Sequence, residues 1–267
     1  MKRSSFLKVA AFLSCLGLIL GTAAAQTQTT SATSTSDPKA VAFATQAYAA
    51  MTGGAPLQDV TLSGMERRIA GSLDETEPVT LKAAGADNSR MDYPSSVRSE
   101  VRTSASGVAV GRWTGSDGVS HPMAPHNCWT DASWFFPELS SAFSFSQSVH
   151  LSYVGLETAN GASVQHIGVS KIAFDKSGNP VASIAQWSQV DVFLDSQSLL
   201  PVGIRFNIYP DNDTNVRIPV EIIFSEYHVV NGIQVPFHIQ RYIANGLNLD
   251  LTITSATFNT GLSSSNF

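Results

Sequence analysis

The chain is 267 residues long, 43% hydrophobic and only 14% charged, with a formal net charge of −5. That acidic, charge-poor balance excludes nucleic acid and an anionic membrane surface as principal partners, because both need clustered Lys and Arg. Two cysteines in the whole chain, Cys15 and Cys128, exclude a disulfide-stapled scaffold and leave stability to an apolar core.

Met1-Lys2-Arg3, an apolar run from Phe6 to Leu20 and the small residues Ala23-Ala24-Ala25 form the pattern of a cleaved secretory signal peptide over residues 1–25. As a membrane anchor the run falls short of the roughly 20 apolar residues that span a bilayer. Lipid attachment at Cys15 is disfavoured, because the cysteine lies early in the run with Phe12 where a leucine is usual. Cleavage after Ala25 removes Lys2, Arg3 and Lys8, takes the formal charge from −5 to −8 and leaves Cys128 as the one thiol. A periplasmic or secreted location follows, with no membrane span in the mature chain. Residues 26–37 are Thr, Ser and Gln with almost no apolar content, a flexible polar tether ahead of a single domain over 38–267.

Asp37 as N-cap, Pro38 at the first helical position and Gly53-Gly54 past the end bracket a helix with Ala40, Val41, Ala44, Ala47, Tyr48 and Met51 on one face. Its small residues suit close packing on a sheet. Strand patterns follow at Asp59–Ile69, Glu77–Ala84, Ser89–Tyr93, Val97–Thr103 and Gly107–Thr114, separated by turn signals such as Ala86-Asp87-Asn88. In the fourth, Arg98, Glu100 and Arg102 alternate with Val97 and Val101, which predicts a half-wet strand with cross-strand ion pairs.

The pattern changes from His121 to Gln147. Asp131 to Leu139 and Ala142-Phe143 suit a helical hairpin, lid or plug, interrupted at Pro137. Trp129, Trp134, Phe135, Phe136, Leu139, Phe143 and Phe145 give this insert a large apolar surface, and they are the candidate ligand-binding residues. Permanent core filling and a movable lid require the same residue types, so both readings stand. Met65, Met91 and Met123 are either adaptable binding surface or plain core. A strand pair, Val149–Glu157 and Val164–Asp175, then leads into five consecutive strands at Trp187–Asp195, Pro201–Tyr209, Arg217–Tyr227, Gly232–Tyr242 and Asn248–Phe258. This is an antiparallel meander, and its apolar face must be covered by a second layer, a lid or a ligand.

Asp59-Val60-Thr61-Leu62-Ser63-Gly64 after an N-terminal helix, Val79 to Gly85 and Arg90-Met91-Asp92 resemble the opening hairpins of the periplasmic lipoprotein-carrier (LolA/LolB-like) superfamily. Val190 to Asp195 followed by Leu200-Pro201-Val202, Phe224-Ser225-Glu226-Tyr227, Asn231 to Phe237 and Leu251 to Ser255 resemble later strands of its secreted bacterial members. The resemblance implies a mainly β, α+β fold: a strongly curved antiparallel sheet forming an unclosed barrel, with its concave face plugged by helices. It also implies a monomeric carrier that binds a lipid, an acyl chain or a lipoprotein and does not catalyse. The alternative is an envelope protein-interaction or stress-sensing module on the same fold, without a small ligand.

His121, His126 and Cys128, with Asp131 near, could bind zinc or copper or serve a thiol hydrolase, but their spacing matches no common zinc module and two prolines suit a stiff structural loop. Asp211 to Asn215 opens like a calcium loop. It lacks the glycine at the sixth position and the glutamate at the twelfth, where Val216 and Ile222 stand, so an ordinary hairpin loop is expected. No cofactor is implied.

Overall fold

The computed structural model describes residues 35–105 and 108–267. The expected signal segment 1–25, most of the tether 26–37 and Gly107 lie outside the described residues.

Helix α1 (Pro38–Thr52) forms as its end signals dictate. The Asp37 side chain accepts the Lys39 amide at 2.8 Å, Pro38 opens the first turn, and Gly53 closes the helix in the left-handed region at φ 63°. Ala40, Ala44, Ala47 and Met51 are fully buried, so the small-residue face lets the helix sit close on the sheet.

Among the described residues, thirteen strands are antiparallel neighbours in one sheet. They are β1 (Asp59–Ala70), β2 (Leu73–Ala84), β3 (Asn88–Asp92), β4 (Ser99–Ala105), β5 (Val108–Thr114), β6 (Ser120–Pro122), β7 (Val149–Ala159), β8 (Ala162–Lys171), β9 (Val190–Asp195), β10 (Pro201–Ile208), β11 (Ile218–Val230), β12 (Ile233–Ile243) and β13 (Gly246–Phe258). Their order is β6-β5-β4-β3-β2-β1-β13-β12-β11-β10-β9-β8-β7, with β6 and β7 as free edges, so the barrel does not close. The first and last strands meet in the middle, from Val60 opposite Phe258 to Arg68 opposite Leu249. A bulge at Ser63/Gly64 bends this seam, and a Cβ on Gly64 would lie 2.2 Å from the Thr252 carbonyl oxygen, so only glycine fits. At the β7 edge the Asp37 amide donates to the Leu151 carbonyl at 2.8 Å, and the Leu151 amide donates to Ser36 Oγ at 3.0 Å. The segment ahead of α1 thereby covers part of an otherwise open edge.

The expected meander is present, and four expectations are refined. β2 starts at Leu73, earlier than its apolar pattern, because a tight turn at Gly71 (φ 62°) continues the hairpin into charged residues. Trp187 ends a short helix, α2 (Ala182–Trp187), and does not begin β9. The strand expected to run to Asp175 stops at Lys171. The insert forms three single 3-10 turns, Pro125–Cys128, Pro137–Leu139 and Ser141–Phe143, in place of a helical hairpin. Two of these turns begin at a proline, which supplies no amide to extend a helix backwards.

The apolar core lies on the face covered by α1 and the insert, where Leu62, Leu81, Leu194, Ile222, Ile239 and Leu251 are fully buried. Past β13, the chain end is clamped by Asp59. Its buried carboxylate accepts the amides of Thr260, Gly261 and Leu262 at 2.8–3.2 Å and the Thr260 hydroxyl at 3.1 Å. Burial pushes this carboxyl up, but the backbone amides of Thr260, Gly261 and Leu262 outweigh that effect and hold it below the ordinary range.

A group with a lowered folded pKa contributes stability above its unfolded value, and that contribution is lost as pH falls through the folded one. Asp59→Asn is therefore expected to cost about 1.5–3 kcal/mol at pH 7, the usual worth of hydrogen bonds to a charged group. Urea denaturation should show the gap to wild type narrowing as pH falls below about 4. A gap independent of pH would show that the charge does not matter.

Candidate functional site

Because β6 and β7 are opposite edges of the sheet, the chain joining them, residues 123–148, has to cross the unclosed side. It begins against β5, where a Cβ on Gly111 would lie 2.5 Å from Met123 sulfur, so this glycine gives the insert its seat. Asn127 then behaves like a piece of strand. Its side chain donates to the Tyr209 carbonyl at 2.8 Å and accepts the Tyr209 amide at 2.9 Å, tying the insert to the end of β10.

The strongest tie comes from Arg102 on β4, which donates from Nη1 to the Asp131 carbonyl at 3.1 Å and from Nη2 to the carbonyls of Thr130 and Asn127. Asp131 in turn folds the insert back on itself. Its Oδ2 accepts Ser140 Oγ at 2.8 Å, the Ser141 amide at 2.9 Å and Ser141 Oγ at 3.0 Å, while Oδ1 lies 3.5 Å from Lys171 Nζ. Lys171 also pairs with Asp87 at 2.7 Å, and Ala132 donates to the Ala86 carbonyl, so β8 and the β2–β3 turn grip the same segment. The stripe of β4 expected to be half wet is thus turned inward. Arg98 pairs with Glu77 and Glu75 across the strands, as expected, but Arg102 is spent on backbone carbonyls.

Of the seven residues expected to meet a ligand, Phe135 and Phe136 are fully buried, and Trp134, Leu139 and Phe143 nearly so. Trp129 is half-buried, and Phe145 is exposed with φ 49°. Phe136 stacks on Phe258 of β13, Phe143 leans on Tyr48 of α1, and Trp134 sits edge-on to Phe135 under the Arg241 guanidinium at 4.8 Å. Each fully buried phenylalanine contributes roughly 1.5–3 kcal/mol. Glu138, in the same plug, is buried with no hydrogen-bond partner for its carboxylate beyond its own backbone amide, and burial holds its carboxyl well above the ordinary range.

His121, His126, Cys128 and Asp131 do not assemble. His121 stacks on Trp113, His126 lies between Trp187 and Tyr209, and Asp131 is engaged as above. Burial pushes the Cys128 thiol up, away from a reactive thiolate. Among the described residues no three metal-binding side chains converge. The Asp213 carboxylate accepts the Asn215 amide at 2.9 Å, a local turn. Met91 is core, Met65 is partly exposed, and Met123 faces the cavity described next.

Beside the plug lies a cavity of about 290 Å³, open to solvent and shared by β4–β6, the insert and β10–β12. Its apolar floor is set by strand register, since Phe206 pairs with Val220 and Val220 with Ile243. Trp134, Trp113, Met123 and Ile208 complete the apolar wall, and Arg102, Arg241, Glu100 and Asn127 are its inner polar groups. Of the seven expected residues, Trp134 alone lines it. Arg102, Arg241, Phe206 and Ile243 escaped sequence reasoning because they come from three strands distant in the chain, and the β4 alternation was the one available signal.

No protein-family model matches the chain, and no curated protein matches it. Among solved structures it is similar to a domain described as an outer membrane lipoprotein-sorting protein from Vibrio parahaemolyticus, with 14% identity, TM-score 0.54, and 85% of this chain and 95% of that one covered. A DUF1329 family protein from Desulfovibrio piger matches with 14% identity and TM-score 0.54 over 86% and 95%. A LolA superfamily protein from Nitrosomonas europaea gives 12% identity and TM-score 0.49 over 85% and 96%. The first two matches establish a shared fold and nothing finer.

Two substitutions test the plug. Arg102→Ala leaves three carbonyls without their donor, at about 1–3 kcal/mol for each that stays buried and unpaired. A stability loss of at least ~2 kcal/mol is expected, with faster amide exchange over residues 127–145 and protection retained in β1 and β13. Glu138 has a raised folded pKa, so its stabilising protonated form is fully present below the unfolded value near 4.3 and is lost as pH rises. Glu138→Leu should therefore raise the melting temperature, and by more at pH 8 than at pH 5. An equal gain at both would show that Glu138 does not titrate.

Proposed function

We propose that this protein is a periplasmic binding or carrier protein for a hydrophobic ligand, a lipid, acyl chain or acylated protein, held on the concave face of the half-barrel. The observation that carries the reading is the amphipathic cavity beside the plug. Elsewhere the concave face is covered by α1 and the insert, whereas here Phe206 and Ile243, half-buried on either side of the buried Val220, form an apolar floor that opens to solvent. Pockets for small molecules are concave and mostly apolar, with a few placed polar groups.

Three further points support it. Residues 1–25 have the pattern of an export signal. Among the described residues no helix is long and apolar enough to cross a membrane. One structure sharing the fold is described as belonging to outer membrane lipoprotein sorting.

Trp134 is the plug-side wall against which a bound chain lies. Phe135, Phe136, Leu139 and Phe143 form the layer behind it, and Trp129 and Phe145 flank that layer nearer the solvent. A longer chain reaches this layer by displacing the plug, which breaks the Arg102 bonds. That displacement also uncovers Phe135 and Phe136 at roughly 1.5–3 kcal/mol each, so the chain has to replace their burial with its own methylenes at ~0.8 kcal/mol each. The role is binding, with no residue assigned to catalysis and no cofactor.

Ile243→Trp fills the cavity from a half-buried position. Protein purified from its export compartment is expected to carry lipid in native mass spectrometry and to take up an apolar fluorescent probe. The variant should lose at least tenfold in probe affinity while its melting temperature stays close to wild type. Wild-type protein that carries no lipid and takes up no probe would sink the reading.

A further inference from the structure

The polar groups of the cavity are incomplete, and they are incomplete in opposite senses. Arg102 is only 6% exposed, yet its Nε has no hydrogen-bond partner. Arg241 donates from Nε and Nη2 to Asn248 Oδ1 at 3.1 and 2.9 Å, and its guanidinium stacks on Trp134. Among the described residues neither arginine reaches a carboxylate within ion-pair distance, although the Arg241 charge acts on the buried Glu66 carboxyl, whose pKa burial raises and Arg241, among other groups, lowers. Glu100 lines the same cavity and has no ion pair or side-chain hydrogen bond among the described residues.

Burying a donor without a partner is costly, and that cost falls on Arg102, while Arg241 and the oppositely charged Glu100 are half-buried. Here they share one small cavity and do not meet. A ligand group carrying both signs and lying between them satisfies the Arg102 Nε and the Glu100 carboxylate together. Asp211 at the exposed rim is discounted, because a hydrated charge is worth little.

The surroundings of Glu100 sharpen the chemistry. Register places Trp113 directly opposite it on β5, so both side chains leave the same face of the sheet. Trp113 lines the cavity and is stacked on His121 at 4.3 Å. A carboxylate beside an indole is a combination that binds ammonium groups, through charge and through the ring's quadrupole. The arginine pair suits phosphate or carboxylate.

We propose that the ligand's head is zwitterionic, with a phosphate or carboxylate held by Arg102 and Arg241 and an ammonium held by Glu100 against Trp113, the tail lying on Phe206 and Ile243. This rests on the binding reading above and specifies its ligand class.

The test is a titration of the mature full chain with four amphiphiles of one chain length, read by tryptophan fluorescence and native mass spectrometry. They are a lysophosphatidylethanolamine, a fatty acid, a monoacylglycerol and an alkyltrimethylammonium. The zwitterion is expected to bind at least tenfold tighter than the other three. Glu100→Gln, a near-isosteric change, should bring the zwitterion down to the fatty acid's affinity. Arg241→Gln should bring it down to that of the alkyltrimethylammonium. If all four bind within threefold of one another, or the fatty acid binds best, the proposal is overturned while the binding reading stands. If none binds, the binding reading itself has failed.

Discussion

A sheet that curls without closing cannot bury its own concave face. That constraint governs the molecule. Thirteen strands end in two free edges, so the apolar surface inside must be covered by something that is not sheet. Helix α1 covers part of it with alanines that permit close approach. The rest falls to the segment that joins the two edges, which has no choice but to run across the gap. The rich aromatic content of that segment follows from where it must lie.

Apolar filling alone does not fix such a segment in place, because hydrophobic contact is non-directional. Direction comes from a small polar set. Arg102 binds the plug through backbone carbonyls, Asp131 folds it through two serines, and Asn127 pairs with Tyr209 as a strand would. The Arg102 and Asn127 ties run to different parts of the sheet, β4 and the end of β10, so the plug links the two arms as well as filling the space between them. β4 and β12 are five steps apart in the sheet, about 24 Å at the usual strand spacing, yet Arg102 and Arg241 line one cavity. The cavity is what remains where the two arms approach and the plug does not reach.

The meander and α1 were legible in the sequence because their signals are local. Asp37-Pro38 and Gly53-Gly54 bracket a helix on their own, and the run from Pro201 to Phe258 alternates and turns without help from distant residues. The aromatic insert was also visible as an interruption, though its 3-10 turns were not, since their form depends on where Arg102 and Asp131 hold the backbone. The cavity was harder. Its floor exists because Phe206, Val220 and Ile243 fall into register across three strands, and register is a property of pairing that one strand does not display. The polar stripe of β4 was read correctly as a face and wrongly as a wet one, because a buried arginine bound to carbonyls has the same sequence as an exposed one.

The seam between β1 and β13 joins residues about two hundred positions apart in the chain. Loop-closure entropy makes such a contact slow to form, and topologies built on distant pairings fold slowly. β1 can pair early with β2, but its other edge stays bare until the last strand has been made and has found it. An unpaired central edge of this length is an invitation to misassembly. The β1 edge is therefore the last part of the sheet to be covered, and the interval before β13 reaches it is the one in which the chain is open to pairing with another strand.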